Sequence, residues 1–366
     1  MQPNVHAAWR LAVAERAARV YAGNGKLAAM TVAGSVGAGL ADQFSDLELD
    51  CYWRRAPDEP DRTGPVDALG GELTALWDYD SGDQEWSEDY RLGELGVTVS
   101  NFLTSTIDCF LDDVISRADT DPVKHMRLAA VQRSRPLAGA ELIASWRARA
   151  GEFPGTLVTA LVEQALTPQV LTGWAAREAL ASRGDDLALQ DLLARVGQAV
   201  VRVVLALNRV YMPHRQLKWQ RHLIAGLDVV PAGLAERLAL ISAPPPVAAI
   251  EAAETLLADT VLLAESRAGA DMTAFREALA ERRRPVYPPA PLSAASQSSA
   301  TAAVHDCRGE PSAAPVNGSK YSANSPPAAS WPSESRRRSP ARSARPSWLS
   351  ACHSSQLMIG QTGPRQ

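Results

Sequence analysis

Residues 27–53, LAAMTVAGSVGAGLADQFSDLELDCYW, decide how the rest of the chain is read. LAAMTVA is an apolar run of strand length that stops at Gly34, and LELDCYW, at 47–53, alternates as a half-buried strand does. Between them, Gly34 and Ser35 open a short helix. Its first backbone N–H groups and the Ser35 hydroxyl can hold phosphate oxygens, and Gly34 permits close backbone approach. Asp46 and Glu48 are two residues apart and project from one face, while Leu47 and Leu49 point to the opposite, buried face. Two carboxylates so placed suit Mg²⁺, which keeps waters and bridges a few carboxylates to substrate phosphates.

Other readings of the same residues fit less well. A P-loop requires Gly-Lys-Ser/Thr after its glycines, and GSVGAGLA contains no lysine. A dinucleotide turn requires GxGxxG and one distant acid, whereas Gly34, Gly37 and Gly39 run GxxGxG and the acids arrive early and alternate. An ordinary turn with solvated acids explains any one of these features, but not a strand, Gly-Ser, a short helix and Asp-x-Glu in that order.

The 366 residues are 21% charged and 46% hydrophobic, the composition of a soluble globular protein with room for two domains. A net charge of -4 provides no basic field, so extended contact with nucleic acid has no electrostatic support, while a single nucleotide remains allowed. The start, MQPNVHAAWRLAVAERAARV, has no compact apolar segment behind a basic head, and no run of about 18 apolar residues occurs anywhere. The expectation is a cytoplasmic protein without a membrane partner. Cys51, Cys109, Cys307 and Cys352 form no CxxC pair, and the six histidines show no HxxxH spacing, which argues against a disulfide framework or a histidine metal site.

Residues 1–120 mix strand and helix signals, with helices expected at about 4–22 and 66–77, hairpin material after Trp77, a strand at 95–101 and a helix over TSTIDCFLDDVISRA. Residues 121–285 read as helical almost throughout, with strong segments at 137–150, 156–166, 185–211 and 246–267. Residues 286–366 turn Pro-, Ser- and Ala-rich without apolar periodicity and are expected to be disordered. The fold class is α+β: a small mixed-sheet domain, an all-helical domain and a tail.

Gly34-Ser35 followed by Ser45-Asp46-Leu47-Glu48 resembles the signature of the polymerase-beta-like nucleotidyltransferase superfamily. The wider chain to about 285, including EWSEDY and LNRVYMPHRQLKW, is similar to bacterial members that carry a helical C-terminal region. The resemblance implies a nucleoside triphosphate held at Gly34 and Ser35, Mg²⁺ at Asp46 and Glu48 as the catalytic acids, and transfer of a nucleoside monophosphate to a hydroxyl of a small molecule or protein. By the same pattern Lys218 is the cation offered to the nucleotide from the helical half, with Arg133 and Arg135 as further cations.

One position departs from the family pattern. A third carboxylate is expected on a later strand, and the matching position in GVTVSN is Thr98, which can neither hold a metal strongly nor take a proton. Glu94 and Asp50 are the available substitutes. The alternative function is therefore a nucleotide-binding regulatory or interaction protein without transfer activity. Trp86 and Trp219 have faces that can stack a base, but with nine tryptophans in the chain both are left to packing.

Overall fold

The structure, a computed structural model, describes residues 4–287, so the expected disordered tail lies outside the described residues from position 288 onward. The described residues form an α+β molecule on a six-stranded mixed sheet. Helix α1 (Val5–Tyr21) leads into β1 (Leu27–Val32), the single turn α2 (Gly34–Gly37) and β2 (Leu47–Trp53). Then come α3 (Glu59–Ala68) and the meander β3 (Glu72–Asp80), β4 (Glu85–Leu92) and β5 (Leu95–Leu103). Helices α4 (Thr104–Arg117) and α5 (Pro122–Arg133) precede a last strand, β6 (Arg135–Ala138).

The strand order is β3-β4-β5-β2-β1-β6. β2 and β5 are parallel, with Glu48 opposite Thr98 and Asp50 opposite Ser100, and the other pairs are antiparallel. The remainder is helical: α6 (Ala140–Ala150), α7 (Gly155–Ala165), α8 (Arg177–Arg183), α9 (Asp186–Leu207), α10 (Gln220–Ile224), α11 (Leu234–Ile241), α12 (Pro246–Leu263) and α13 (Thr273–Ala280).

The pleat divides the sheet between two cores. Leu47, Leu49, Cys51 and Trp53 on β2 pack with Val97 and Val99 of β5 against Ala14, Ala17 and Tyr21 of α1. On the other face Tyr52 and Phe102 join Ile143 and Trp146 of α6 and the long apolar stripe of α9. That second face is apolar only at one end. Towards the start of β2 it carries Glu48, Asp50, Thr98 and Ser100, which is where the candidate site lies.

Two local expectations are corrected. The helix expected at 66–77 is α3, which ends at Ala68, followed by Gly70-Gly71 and strand β3 from Glu72. Asp58 accepts from the Asp61 amide and Asp61 reciprocates, so a capping box with Pro60 in the first turn sets the helix earlier. ELTALWDYD then pairs with β4 as the outer strand of the meander. The helix expected at 137–150 is α6 preceded by β6, an edge strand that tolerates Pro136 because one side of it needs no ladder donor. The helix at 4–22 and the strands at 27–33, 47–53 and 95–101 stand within two residues of their expected limits.

Candidate functional site

The site begins where β1 ends. Gly34 has φ +55°, in the left-handed region that glycine enters without penalty. A β-carbon added there would lie 2.5 Å from Glu48 Cδ and 2.6 and 2.7 Å from its two carboxylate oxygens. The absent side chain is therefore the space in which the Glu48 carboxylate rests. The Ala33 amide donates to Glu48 O at 2.9 Å, which ties this turn to β2. The first amides of α2 have no carbonyl ahead of them in the helix, and among the described residues no backbone carbonyl accepts from Ser35 or Val36, whose N–H groups lie beside Glu48.

The approach to Asp46 is held from α1. The Asn4 side chain accepts from the His6 amide as N-cap, and its Nδ2 donates to Ala41 O at 2.6 Å. Buried Arg10 donates through Nε to Ser45 O at 2.8 Å. Within the loop, Asp42 Oδ1 accepts from the Phe44 amide and from Ser45 Oγ, both at 3.0 Å, and Ser45 Oγ accepts from the Asp42 amide. This closed Asx turn delivers Asp46 to the start of β2, its Cβ 4.0 Å from where a side chain on Gly96 would begin.

Glu48 is reached by water, yet protein crowds it from most directions, the condition of a group on the floor of a recess. Burial raises its carboxyl to about 7, the charges of Asp46 and Asp50 push the same way, and Lys218 and Arg127 oppose them. Asp50 is fully enclosed, and burial raises it to about 6 against the pull of Arg127. Tyr52 donates its hydroxyl to Asp50 Oδ2 at 3.3 Å. Arg127, on α5, forms an ion pair with Glu85 at 2.7 Å and stacks over Phe102 at 4.7 Å. Its buried Nε has no hydrogen-bond partner among the described residues.

Lys218 is exposed and lies near enough to lower the Glu48 carboxyl, so residues 170 positions apart meet at one recess. The backbone around it is unusual: Leu217 and Trp219 both have positive φ, 53° and 59°. Two bulky residues in the left-handed region cost on the order of 1–3 kcal/mol each and persist only where the surroundings impose them.

Residues 122–220, from the first turn of α5 to just past Lys218, match the model of a domain of unknown function, DUF4037. No curated protein matches the chain. Among solved structures it is similar to a nucleotidyltransferase-like protein from Exiguobacterium sibiricum 255-15, at 16% identity over 75% of this chain and 82% of that one, with a TM-score of 0.35.

The structure brings Gly34, Ser35, Asp46, Glu48 and Lys218 to one end of the sheet. Arg135 sits opposite Val32, at the edge of the same turn, and Arg133, two residues before it, is pulled below its ordinary value by burial. Glu94 is elsewhere: it stands fully exposed at the β4–β5 turn, paired with Arg91 at 3.3 Å. Thr98 does occupy the position beside Glu48, and its hydroxyl donates to Asp89 Oδ1 of β4 at 2.7 Å. Among the described residues no three His, Cys, Asp or Glu side chains converge closely enough to hold a metal ion. Asp46 and Glu48 are the two carboxylates of the recess available to one.

Arg127 and Asp89 were not found by sequence reasoning. Arg127 lies 42 residues from Glu85, and nothing in KHMR separates it from a solvated helix charge. Trp86 packs on Tyr79 at 4.6 Å within the hairpin, and Trp219 lies 5.9 Å from His222.

Among the described residues no helix is long and apolar enough to cross a membrane.

Proposed function

We propose that the protein is a Mg²⁺-dependent nucleotidyltransferase that moves a nucleoside monophosphate from a nucleoside triphosphate to a hydroxyl of a small molecule or a protein. One observation carries the reading: the Glu48 carboxylate fills the space left by Gly34, directly beside the amides of Ser35 and Val36. An anion drawn to those amides would meet an ionised carboxylate, and the two repel unless a cation lies between them.

The residues fit such a cation. Asp46 and Glu48 provide hard oxygen donors, and the crowded negative charge that raises Glu48 to about 7 is what a bound dication relieves. When bound, Mg²⁺ would supply charge neutralisation to the triphosphate. The chain's own contribution is positioning and electrostatics. Ser35 and the first amides of α2 hold phosphate oxygens, Lys218 and Arg127 set positive charge around the recess, and Gly34 keeps the approach open. Transfer joins the acceptor oxygen to the α-phosphorus and releases pyrophosphate.

A second reading, nucleotide binding without transfer, is favoured by Thr98, which stands beside Glu48 where a third carboxylate would be needed and is engaged by Asp89. Pyrophosphate release from the four nucleoside triphosphates with Mg²⁺, offered a panel of hydroxyl acceptors, separates the two. The transferase should release pyrophosphate, and Asp46→Asn should fold normally and release none, because Asp46 is exposed and contributes charge rather than packing. Undiminished Mg²⁺-dependent release by folded Asp46→Asn would sink the reading, and nucleotide binding without release by the wild type would select the second.

A further inference from the structure

On the recess face of the sheet three side chains stand in one row. Glu48 of β2 is opposite Thr98 of β5, and Thr98 is opposite Asp89 of β4. Residues paired across strands project from the same face, so a carboxylate stands on each side of a threonine. The alternation along β4 agrees, since Tyr90, next to Asp89, belongs to the core against α1 on the other face. Thr98 Oγ1 donates to Asp89 Oδ1 at 2.7 Å, and Trp77 Nε1 donates to Asp89 Oδ2 at 3.4 Å. We propose, resting on the transferase reading above, that Asp89 is a further catalytic residue: it takes the proton of the acceptor hydroxyl, which lies over Thr98 between Asp89 and Glu48.

Transfer to a hydroxyl needs a place for its proton, and the other carboxyl groups of this face have other partners. Asp46 and Glu48 are the donors offered to the cation. Asp50 is buried and accepts from the Tyr52 hydroxyl at 3.3 Å, and Glu85 is buried in its ion pair with Arg127 at 2.7 Å. Asp89 is half-buried, so a molecule in the recess can reach it. Its two oxygens are oriented by one donor each, and a carboxylate has about four lone-pair sites, so it keeps room for another proton. Among the described residues no three His, Cys, Asp or Glu side chains converge on one ion, so Asp89 is not a third metal ligand. Two strand spacings place the Glu48 and Asp89 backbones about 9–10 Å apart, and the short Thr98 side chain floors the slot between them.

The step balances with these groups. The acceptor O–H bond breaks, its proton passes to an Asp89 carboxylate oxygen, and the oxygen forms its bond to the α-phosphorus. The bond from the α-phosphorus to the bridging oxygen breaks, its electron pair leaves with pyrophosphate, and Asp89 then returns its proton to water. Thr98, which holds Asp89 Oδ1, is the positioning residue of this base.

Pyrophosphate release from ATP with Mg²⁺ in aqueous glycerol, where glycerol and water are the acceptors, tests the proposal beside the ATP–Mg²⁺ melting shift. Asp89→Asn keeps an oxygen for Thr98 and removes the base. It should retain the melting shift and release pyrophosphate at least about a hundredfold more slowly, the lower end of what general-base catalysis contributes. Asp89→Ala should regain part of its release when formate is added, because a free carboxylate can enter the space; formate does not repair a loss of structure. Thr98→Val should slow release less than Asp89→Asn, and Glu94→Gln, at an exposed acid of the β4–β5 turn, should match wild type. The proposal is overturned if folded Asp89→Asn releases pyrophosphate like wild type, if it loses the melting shift, or if formate does not restore Asp89→Ala. Failure of the transferase reading looks different: wild type then releases no pyrophosphate, or Asp46→Asn releases it undiminished, and the proposal falls with it.

Discussion

Gly34→Ala is the substitution that interrogates the recess most directly, and Gly39→Ala is its control. Both glycines have positive φ, +55° and +72°, so an alanine at either position pays the left-handed penalty of roughly 1–2 kcal/mol. In a body of this size that corresponds to a fall of roughly 2–8 °C in melting temperature. The steric consequences differ. A β-carbon at Gly39 meets nothing within 4 Å, whereas at Gly34 it lands 2.5–2.7 Å from the Glu48 carboxylate. That carboxylate is the end of a flexible side chain, so it swings away rather than breaking the fold, and the swing carries it off the point shared by Asp46 and the first amides of α2. The two variants should therefore melt alike and bind differently.

The assay is the rise in melting temperature on adding ATP with Mg²⁺, since a ligand of the native state stabilises it by about 2.7 kcal/mol at a hundredfold excess over its dissociation constant. Wild type and Gly39→Ala should show the rise, and Gly34→Ala should show little or none. Equal rises in the two variants would refute the idea that Glu48 and the phosphates meet at Gly34. A Gly34→Ala protein that melts far below Gly39→Ala would show instead that the contact is structural.

Other outcomes follow from the neighbours of the recess. Lys218→Met should leave stability within about 0.5 kcal/mol, because the residue is exposed, and should shrink the ATP–Mg²⁺ melting shift; an unchanged shift removes Lys218 from the site. Arg127→Met leaves Glu85 and Asp50 facing burial without their cation, and denaturant titration should show a loss on the order of 3 kcal/mol, with a loss below 1 kcal/mol contradicting the ion-pair account. Burial lowers His125 in the folded state, so the unfolded chain binds its proton more tightly, and this histidine's contribution to stability is complete above about pH 6.5 and is lost as pH falls through its lower folded value. His214, also lowered, acts in the same direction, while the raised carboxyls Glu48 and Asp50 act oppositely. The difference between wild type and His125→Gln isolates the first: the wild-type stability curve should fall more steeply below pH 6.5, by at most about 1.4 kcal/mol per pH unit, and parallel curves would contradict it.

How much of this was legible in the sequence depended on range. β1 could be read because LAAMTVA is an apolar run of strand length that Gly34 stops, and β2 because LELDCYW alternates without any partner strand. Gly34-Ser35 and Asp46-x-Glu48 could be read because the turn that joins them is built from its own residues, Asp42 to Ser45 included. β3 was harder to see, since ELTALW carries apolar residues at both strand and helix spacings and only Gly70-Gly71 marks the break. β6 was hidden because RPLA is too short for periodicity, and its partner is β1, about a hundred residues earlier. Arg127 was invisible for the same reason, as its meaning lies in Glu85 and Asp50, which only the sheet places beneath it.

The recess also explains why the helical region matters to the sheet. Lys218 is delivered by a stretch of chain whose own preferences oppose the shape it takes, with Leu217 and Trp219 both left-handed. Something must impose that shape, and the structure shows what does. Asn208 at the end of α9 accepts from the Asp228 and Val229 amides at 3.0 and 2.9 Å and donates to Val229 O at 2.8 Å, which closes the loop on itself. Tyr211 donates to Ala150 O at 2.8 Å, and its ring packs on His125 and Phe153. Leu217 is buried in the same core as Tyr52 and Phe102 of the sheet. The strain at positions 217 and 219 is thus held by the packing of α5, α6 and α9, and α5 is the helix that aims Arg127 at Glu48 and Asp50. The Leu217 amide also donates to His214 O at 2.9 Å, so local hydrogen bonds and one packed core together hold the loop that bears Lys218, and the same core sets Arg127.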